Sequence, residues 1–308
     1  MWRIKQEDGH TCGNLCVYVD DISAGAQRAV LQGLFKTLKE TWVCSDEEYV
    51  SQTKPMRFCG YDILARGDGG YEVSQGSYLK DLLTRRNIKG TEVSPVPRIE
   101  EGEDEPWNAM ALKEAQSITG EVQWLANRTR PDIAYATGLM SRILRRRPQY
   151  AVKLGERLTR YLNGAVDLKL TYKPYEVWER EGGGPDIERS MGTLEIFSDA
   201  SFAPPHEQFR SVQGLLAEHG RNLLLWSSSR QAFIVQSTAE AELLSYNESY
   251  QAGESVGALL EIFGFETKKQ LLGDNKAALV LCTGETGPWR TKLREQPGLR
   301  DISEGINW

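Results

Sequence analysis

Apolar and polar positions recur along the chain with two periods, which predict where strands and helices lie. In the first hundred residues, a strand-like run at 14–22 ends in two acids, and apolar residues follow at helical spacing over 26–40. Short strands are expected at 57–64 and 70–74, separated by a glycine-rich turn, and a helix at 78–86. This part of the chain is therefore expected to mix strands with single helices.

The middle of the chain follows a helical pattern. Thr129 can cap a helix with Pro131 in its first turn, where the missing N–H of proline has no cost. Apolar residues over 133–144 then fall on one face. A second helix is predicted over 150–162, and Asn163-Gly164 supplies its stop.

Strand and helix patterns alternate in the last third of the chain. The predicted elements are three strands, a long helix, a strand and a short helix, at 193–198, 211–217, 221–226, 238–263, 269–273 and 275–282. This order is typical of an α/β unit. The fold class predicted for the whole chain is therefore α/β, of the mixed α+β kind.

Composition narrows the class of protein. The 308 residues are 40% hydrophobic and 26% charged, which is ordinary for a soluble globular protein of two modest domains. No apolar run approaches the roughly 18 residues of a membrane helix, and the acidic start does not resemble a secretion signal. Five scattered cysteines favour free thiols in a reducing compartment. An intracellular protein without a membrane partner is expected, cytoplasmic or nuclear.

Charge is distributed unevenly along the chain. The net charge is -6, yet residues 142–173 carry nine basic residues against only Glu156 and Asp167. Such a segment can follow nucleic-acid phosphates, although a solvated helix face explains the charges equally well. The candidate nucleic-acid-binding residues are Arg142, Arg145, Arg146, Arg147, Lys153 and Arg157.

Three acidic motifs stand where predicted elements end or begin in the last third. Asp199 and Asp274 each follow a strand-like run, and Ser-Thr-Ala-Glu-Ala-Glu-Leu at 237–243 opens the long helix. Each acid alone could serve as a turn residue or a helix cap. Glu240 fits a capping box with the serine three residues before it, which leaves Glu242 free to bind metal. The ordered set predicts a divalent-metal site.

A second acidic motif, Tyr18-Val19-Asp20-Asp21, ends the first strand-like run. Paired acids most often lie in a solvated turn, but this tetrad after an apolar run is more specific. Phosphoryl transfer depends on positioning and charge neutralisation, and carboxylates that hold Mg²⁺ supply both. A tight hairpin would present Asp20 and Asp21 to the same metal ions.

Together these motifs resemble the C-terminal part of a copia-type retrotransposon polyprotein, in which reverse transcriptase precedes RNase H. The acidic motifs at both ends carry the resemblance. So do the segments at 58–63, 73–79, 120–134, 160–164, 198–203, 226–228, 237–243 and 274–275. The most distinctive is 120–134, which contains Thr129-Arg130-Pro131-Asp132. The resemblance covers nearly the whole chain.

The resemblance implies a division of the chain and a set of roles. The predicted parts are a partial reverse-transcriptase palm, an acidic linker, a helical thumb or connection, a second linker and an RNase H-like domain, at 1–98, 99–106, 107–175, 176–190 and 191–308. Asp20 and Asp21 would be polymerase metal acids. Asp199, Glu242 and Asp274 would hold Mg²⁺ or Mn²⁺ for hydrolysis of the RNA strand of an RNA/DNA hybrid. The basic segment would contact the hybrid or a template–primer.

Departures from the family pattern imply an impaired enzyme. The palm of the family carries a further metal aspartate upstream, and Asp8 lies in no matching context. The family's RNase H uses a fourth acid on a later helix, and neither Asp301 nor Glu304 sits in the matching motif. Polymerisation by this chain alone is therefore not expected, and the nuclease is expected to be weakened. The alternative is a non-catalytic nucleic-acid-binding or interaction module that reuses the scaffold.

Overall fold

The structure is a computed structural model that describes residues 2–6, 8–96, 99, 102–180 and 192–283. Within these residues, strands form one three-stranded and two four-stranded sheets, and helices lie between and against them. The predicted mixture of helix and sheet is confirmed. No helix in this described part of the chain combines the length and apolarity needed to cross a membrane. All five cysteines are free thiols.

The first sheet is an antiparallel meander followed by a helix. Its elements are β1 (Trp2–Lys5), β2 (Thr11–Tyr18), β3 (Asp21–Ala26) and α1 (Arg28–Thr41). The run predicted as one strand at 14–22 is wrong over its last residues, because the chain reverses after Tyr18, which pairs with Asp21. The tight hairpin predicted for the acidic tetrad is therefore present, and the helix predicted at 26–40 is confirmed.

The second sheet joins residues from distant parts of the chain. Its elements are β4 (Met56–Phe58), β5 (Tyr61–Ala65), β6 (Tyr71–Ser74) and β7 (Leu170–Tyr172), with α2 (Gly76–Arg85) after β6. The single strand predicted at 57–64 is wrong, because the chain turns at Cys59 and Gly60, where φ is 49° and 83°. β7 pairs with β6 and was not predicted.

A helical layer forms the larger apolar core. Its helices are α3 (Ala109–Ala126), α4 (Ala134–Ile143) and α5 (Pro148–Gly164). Helix α3 was not predicted. Gly155 allows α5 to approach α3, since a Cβ there would lie 2.6 Å from the Cδ1 of Ile118. The predicted cap at Thr129 is wrong: α4 begins after a 3-10 turn at Pro131–Ile133, and the hydroxyl of Thr129 hydrogen-bonds Gln75 at 3.0 Å.

The two predicted linkers are partly structured. Glu105 in the acidic stretch 99–106 accepts hydrogen bonds from the backbone N–H groups of Gln149 and Tyr150, 2.6 and 3.0 Å long, in the first turn of α5. This contact fixes the stretch to the helical layer. The stretch predicted as a linker at 176–190 starts inside α6 (Tyr175–Arg180), which was not predicted, and its remainder lies outside the described residues.

The third sheet agrees with the pattern of the sequence. Its elements are β8 (Thr193–Ser201), β9 (Val212–His219), β10 (Asn222–Arg230) and β11 (Lys268–Leu272), with helices α7 (Thr238–Ile262) and α8 (Lys276–Thr283). Strand order is β10-β9-β8-β11, and only β11 runs parallel to β8. A Cβ at Gly253 would lie 2.1 Å from the Cδ1 of Ile196, so α7 packs closely on β8. Residues 284–308, including Asp301 and Glu304, lie outside the described part.

Candidate metal centre

Three elements bring the carboxylates of the last three motifs to one point. Leu272 of β11 pairs in parallel register with Phe197 of β8. Asp274 and Asp199 each follow two residues later, at the same edge of the sheet. Helix α7 crosses β8 and adds Glu242. One carboxylate oxygen from each residue lies within 4.8 Å of the other two.

The first turn of α7 decides which glutamate reaches the cluster. Ser237 caps the helix by accepting a 3.1 Å hydrogen bond from the N–H of Glu240, as predicted. The Glu240 carboxylate accepts from the N–H of Gln236 at 2.8 Å, one residue before the expected donor. Glu240 is exposed, whereas Glu242 is buried beside Asp199. The capping motif therefore leaves Glu242 as the glutamate of the cluster.

Glu242 is an acid in an unfavourable environment. Its side chain accepts one hydrogen bond, 3.3 Å, from the N–H of Ala200, while its Oε2 is buried and has no hydrogen-bond partner in the described part of the chain. Burial, and then the negative charges of Asp199 and Asp274, raise the pKa of Glu242 to about 7. A buried carboxylate oxygen without a donor is costly unless a cation binds it. The all-oxygen donor set fits a hard cation such as Mg²⁺ or Mn²⁺.

Buried hydroxyl groups hold β8 against α7 behind the cluster. The hydroxyls of Ser245 and Ser249 lie 2.7 and 2.9 Å from that of Ser198. Ser245 also lies 3.1 Å from the backbone carbonyl of Asp199, to which it donates. These bonds connect the glutamate-bearing helix to the aspartate-bearing strand, so the distances between the two carboxylates are set by packing.

A tyrosine supports the third carboxylate from behind. The hydroxyl of Tyr246 accepts a 3.2 Å hydrogen bond from the N–H of Asn275, next to Asp274. Burial raises the pKa of Tyr246 to about 12, so it stays neutral. Gly273 leaves room for this contact, since a Cβ there would lie 2.3 Å from the tyrosine oxygen. Asn275 caps α8 by accepting from the N–H of Ala278 at 3.0 Å.

A cleft of about 580 Å³ opens in front of the aspartates. The third sheet supplies one wall, including Phe197 and Trp226. The helical layer supplies the other, including Asp132 and Tyr135. The indole N–H of Trp226 donates to the carbonyl of Ala126 at 2.6 Å, which fastens the two walls together. The cleft therefore belongs to two separate parts of the chain.

Tyr135 and His206 were not predicted from the sequence as site residues. They lie with Asp199 along a second cleft of about 300 Å³, and 3.2 Å separates the tyrosine oxygen from the Nε2 of His206. They are 71 residues apart in the chain. A lone histidine in a loop has no spacing signal, so only the fold could reveal the pair.

The hairpin acids form no comparable site. Asp20 and Asp21 are exposed at the β2–β3 turn. Val19 in that turn has φ 53°, a strained conformation for a β-branched residue. Among the described residues, neither acid belongs to a cluster of three or more possible metal ligands. Their role as polymerase metal acids stays a prediction.

The basic segment is divided by its contacts. Arg142 binds the buried carboxylate of Glu207 through three hydrogen bonds of 2.5 to 3.1 Å. The other contacts pair Arg146 with Asp104, Arg157 with Glu92, and Arg147 with the ring of Tyr150. Arg145 and Lys153 are exposed. These two are the members of the predicted set best placed to meet phosphate.

The chain resembles Pol proteins of transposable elements. No protein-family model matches it. It is 26% identical over 274 residues to the retrovirus-related Pol polyprotein from transposon RE1 of Arabidopsis thaliana, a match that covers 87% of this chain and 17% of that polyprotein. It is 24% identical over 289 residues to the corresponding polyprotein from transposon TNT 1-94 of Nicotiana tabacum, covering 90% of this chain and 20% of that one.

A shorter relative matches over most of its own length. The chain is 25% identical over 240 residues to a putative transposon Ty5-1 protein of Saccharomyces cerevisiae, covering 76% of this chain and 72% of that protein. The homologues of this chain are thus retrovirus-related Pol proteins from transposons, which confirms the resemblance found in the motifs. They support a retroelement-derived protein.

Proposed function

We propose that this retroelement-derived protein is a metal-dependent nuclease that hydrolyses the RNA strand of RNA/DNA hybrids. The observation that carries the proposal is the convergence of Asp199, Glu242 and Asp274, whose oxygens lie within 4.8 Å of one another. The hybrid as substrate, and the division into palm, connection and RNase H-like parts, come from the family resemblance. The helical wall and the sheet of the cleft belong to the predicted connection and RNase H-like parts.

The residues of the site have separable roles in this proposal. Asp199, Glu242 and Asp274 would hold Mg²⁺ or Mn²⁺, which activates water and stabilises charge on the reacting phosphate. Ser245 fixes the strand that carries Asp199, and Tyr246 fixes the loop that carries Asp274.

Cleavage of a labelled RNA/DNA hybrid tests the proposal. We expect Mg²⁺-dependent cleavage by the wild-type protein and its loss in Asp199→Asn, which keeps the shape of the side chain and removes its charge. Asp167→Asn makes the same change at an exposed residue outside the cluster and serves as the control. Equal cleavage by wild type and Asp199→Asn would reject the proposal. Binding of the hybrid without cleavage would favour the non-catalytic module instead.

A further inference from the structure

A hydrogen-bonded pair, Tyr135 and His206, lies beside the carboxylates without contributing to them. Tyr135 belongs to α4 and His206 to the loop between β8 and β9, residues 202–211. Both line the same cleft as Asp199, and 3.2 Å separates the hydroxyl from Nε2. We infer that this pair binds the sugar–phosphate backbone of a polynucleotide strand at the metal cluster. The inference rests on the proposed function.

Hydrogen counting gives the pair one spare donor. A neutral tyrosine and a neutral histidine carry one O–H and one N–H between them. Only one of the two hydrogens is used in their mutual bond, whichever group donates. The other is left on the histidine Nδ1 or on the tyrosine oxygen. Among the described residues, neither side chain makes a second hydrogen bond. The pair can therefore donate to a phosphate or sugar oxygen without losing its own contact.

The loop that carries His206 is held in place by a buried ion pair. Its next residue, Glu207, is 1% exposed and accepts all three hydrogen bonds from Arg142, which lies on the same helix as Tyr135. A buried pair of this kind fixes geometry, since its fork of parallel bonds allows one orientation. The helix and the loop that carry the pair are thus tied together independently of the tyrosine–histidine contact.

The same loop has a strained backbone. Ala203, Gln208 and Phe209 have φ of 41°, 59° and 59°, values that residues other than glycine adopt at a cost in free energy. Such conformations persist where the surroundings enforce them, and they concentrate at functional sites. Here the N–H groups of Gln208 and Phe209 donate to the carbonyls of Pro205 and Pro204, and the N–H of Ala203 donates to the Ser211 hydroxyl. The strain is consistent with a loop whose shape serves to present His206 to the cleft.

Binding of a fluorescent RNA/DNA hybrid, measured by anisotropy in EDTA, tests the inference apart from cleavage. We expect the double variant Tyr135→Phe/His206→Ala, which removes both hydrogens of the pair, to weaken binding roughly five- to tenfold, the effect of one lost hydrogen bond. Each single variant leaves one donor and is expected to stay within about threefold of wild type. His206→Gln retains an N–H donor and is expected to stay within about threefold of wild type, by the same conversion. Tyr78→Phe removes a hydroxyl that donates to the Glu121 carbonyl, outside both clefts, and is the matched control.

A further readout separates a binding role from a purely structural one. Thermal stabilisation by Mg²⁺ reports the carboxylates, and we expect it to be unchanged in Tyr135→Phe and in His206→Gln. The inference is overturned if the double variant Tyr135→Phe/His206→Ala binds within twofold of wild type, or if the wild-type protein binds no hybrid. The inference would also be overturned if this variant lost hybrid binding and thermal stabilisation by Mg²⁺ to the same extent. The proposed nuclease activity is tested separately, because it is rejected only if Asp199→Asn cleaves the hybrid as well as the wild-type protein does.

Discussion

Replacing Glu242 by glutamine should make the metal-free protein more stable. In the folded state burial and two neighbouring aspartates raise the pKa of Glu242 from 4.5 to about 7. Between these pH values the folded protein binds a proton that the unfolded chain has released. The stability of the wild-type protein therefore falls as pH rises from about 4.5 to 7, and the full penalty is present above pH 7.

The size of the effect follows from the same shift. A rise of the pKa from 4.5 to about 7 corresponds to at most roughly 3 kcal/mol. The two aspartates whose charges contribute to the shift are exposed to solvent, which screens them, so we discount this to about 1–2 kcal/mol. Glutamine preserves the bond from the Ala200 N–H and directs its amide N–H groups towards the aspartates. Glu242→Gln should thus exceed wild type in stability by about 1–2 kcal/mol at pH 8 and match it near pH 4.

Urea unfolding in EDTA at pH 4 and pH 8 measures this difference as a shift of the midpoint at constant slope. Mg²⁺ should then stabilise wild type and have little effect on Glu242→Gln, because a ligand stabilises only the state that binds it. Glu266→Gln, at an exposed glutamate outside helix α7 and outside the cluster, is the control and should leave both responses unchanged. A Glu242→Gln protein less stable than wild type at pH 8 in EDTA would refute the reasoning.

Other predictions concern the packing around the site. Gly155→Ala should lower the free energy of unfolding by about 1–3 kcal/mol, because its Cβ would lie 2.6 Å from Ile118; chemical denaturation measures it. Glu207→Gln should cost about 2–3 kcal/mol by leaving the partly buried Arg142 without its counter-charge, and thermal unfolding should show it. Burial raises the pKa of Asp132, but its hydrogen bonds, led by those from Arg130, and the charge of Arg130 together outweigh this effect, and the pKa in the folded state is lowered. The stabilisation from Asp132 is therefore complete above the pKa of the unfolded state and is lost as pH falls through the folded pKa. Asp132→Asn should make the free energy of unfolding fall less steeply towards acidic pH.

Local pattern was sufficient for the third sheet and for helices α4 and α5, and insufficient for helix α3 and strand β7. The strands of the sheet carry large apolar residues next to clear turns, so their periods are readable. The core-facing stripe of helix α3 alternates large apolar residues with Ala115, Thr119 and Ala126, and these small and polar members lower its hydrophobic contrast. Strand β7 has three residues and pairs with a strand about a hundred positions earlier. Neither the buried stripe of α3 nor the long-range pairing of β7 can be recognised from a short stretch of sequence.

The carboxylate cluster and the basic segment also differ in how much can be predicted from neighbouring residues. Asp199, Glu242 and Asp274 could be predicted because each acid has a local position relative to a strand end or a helix cap. The partner of Arg142 could not, since Glu207 lies 65 residues away and its burial depends on the complete fold. That contact changes the role assigned to Arg142. Arg142, a candidate phosphate ligand in the sequence, instead ties helix α4 to the loop between β8 and β9, and so helps to form the cleft beside the cluster.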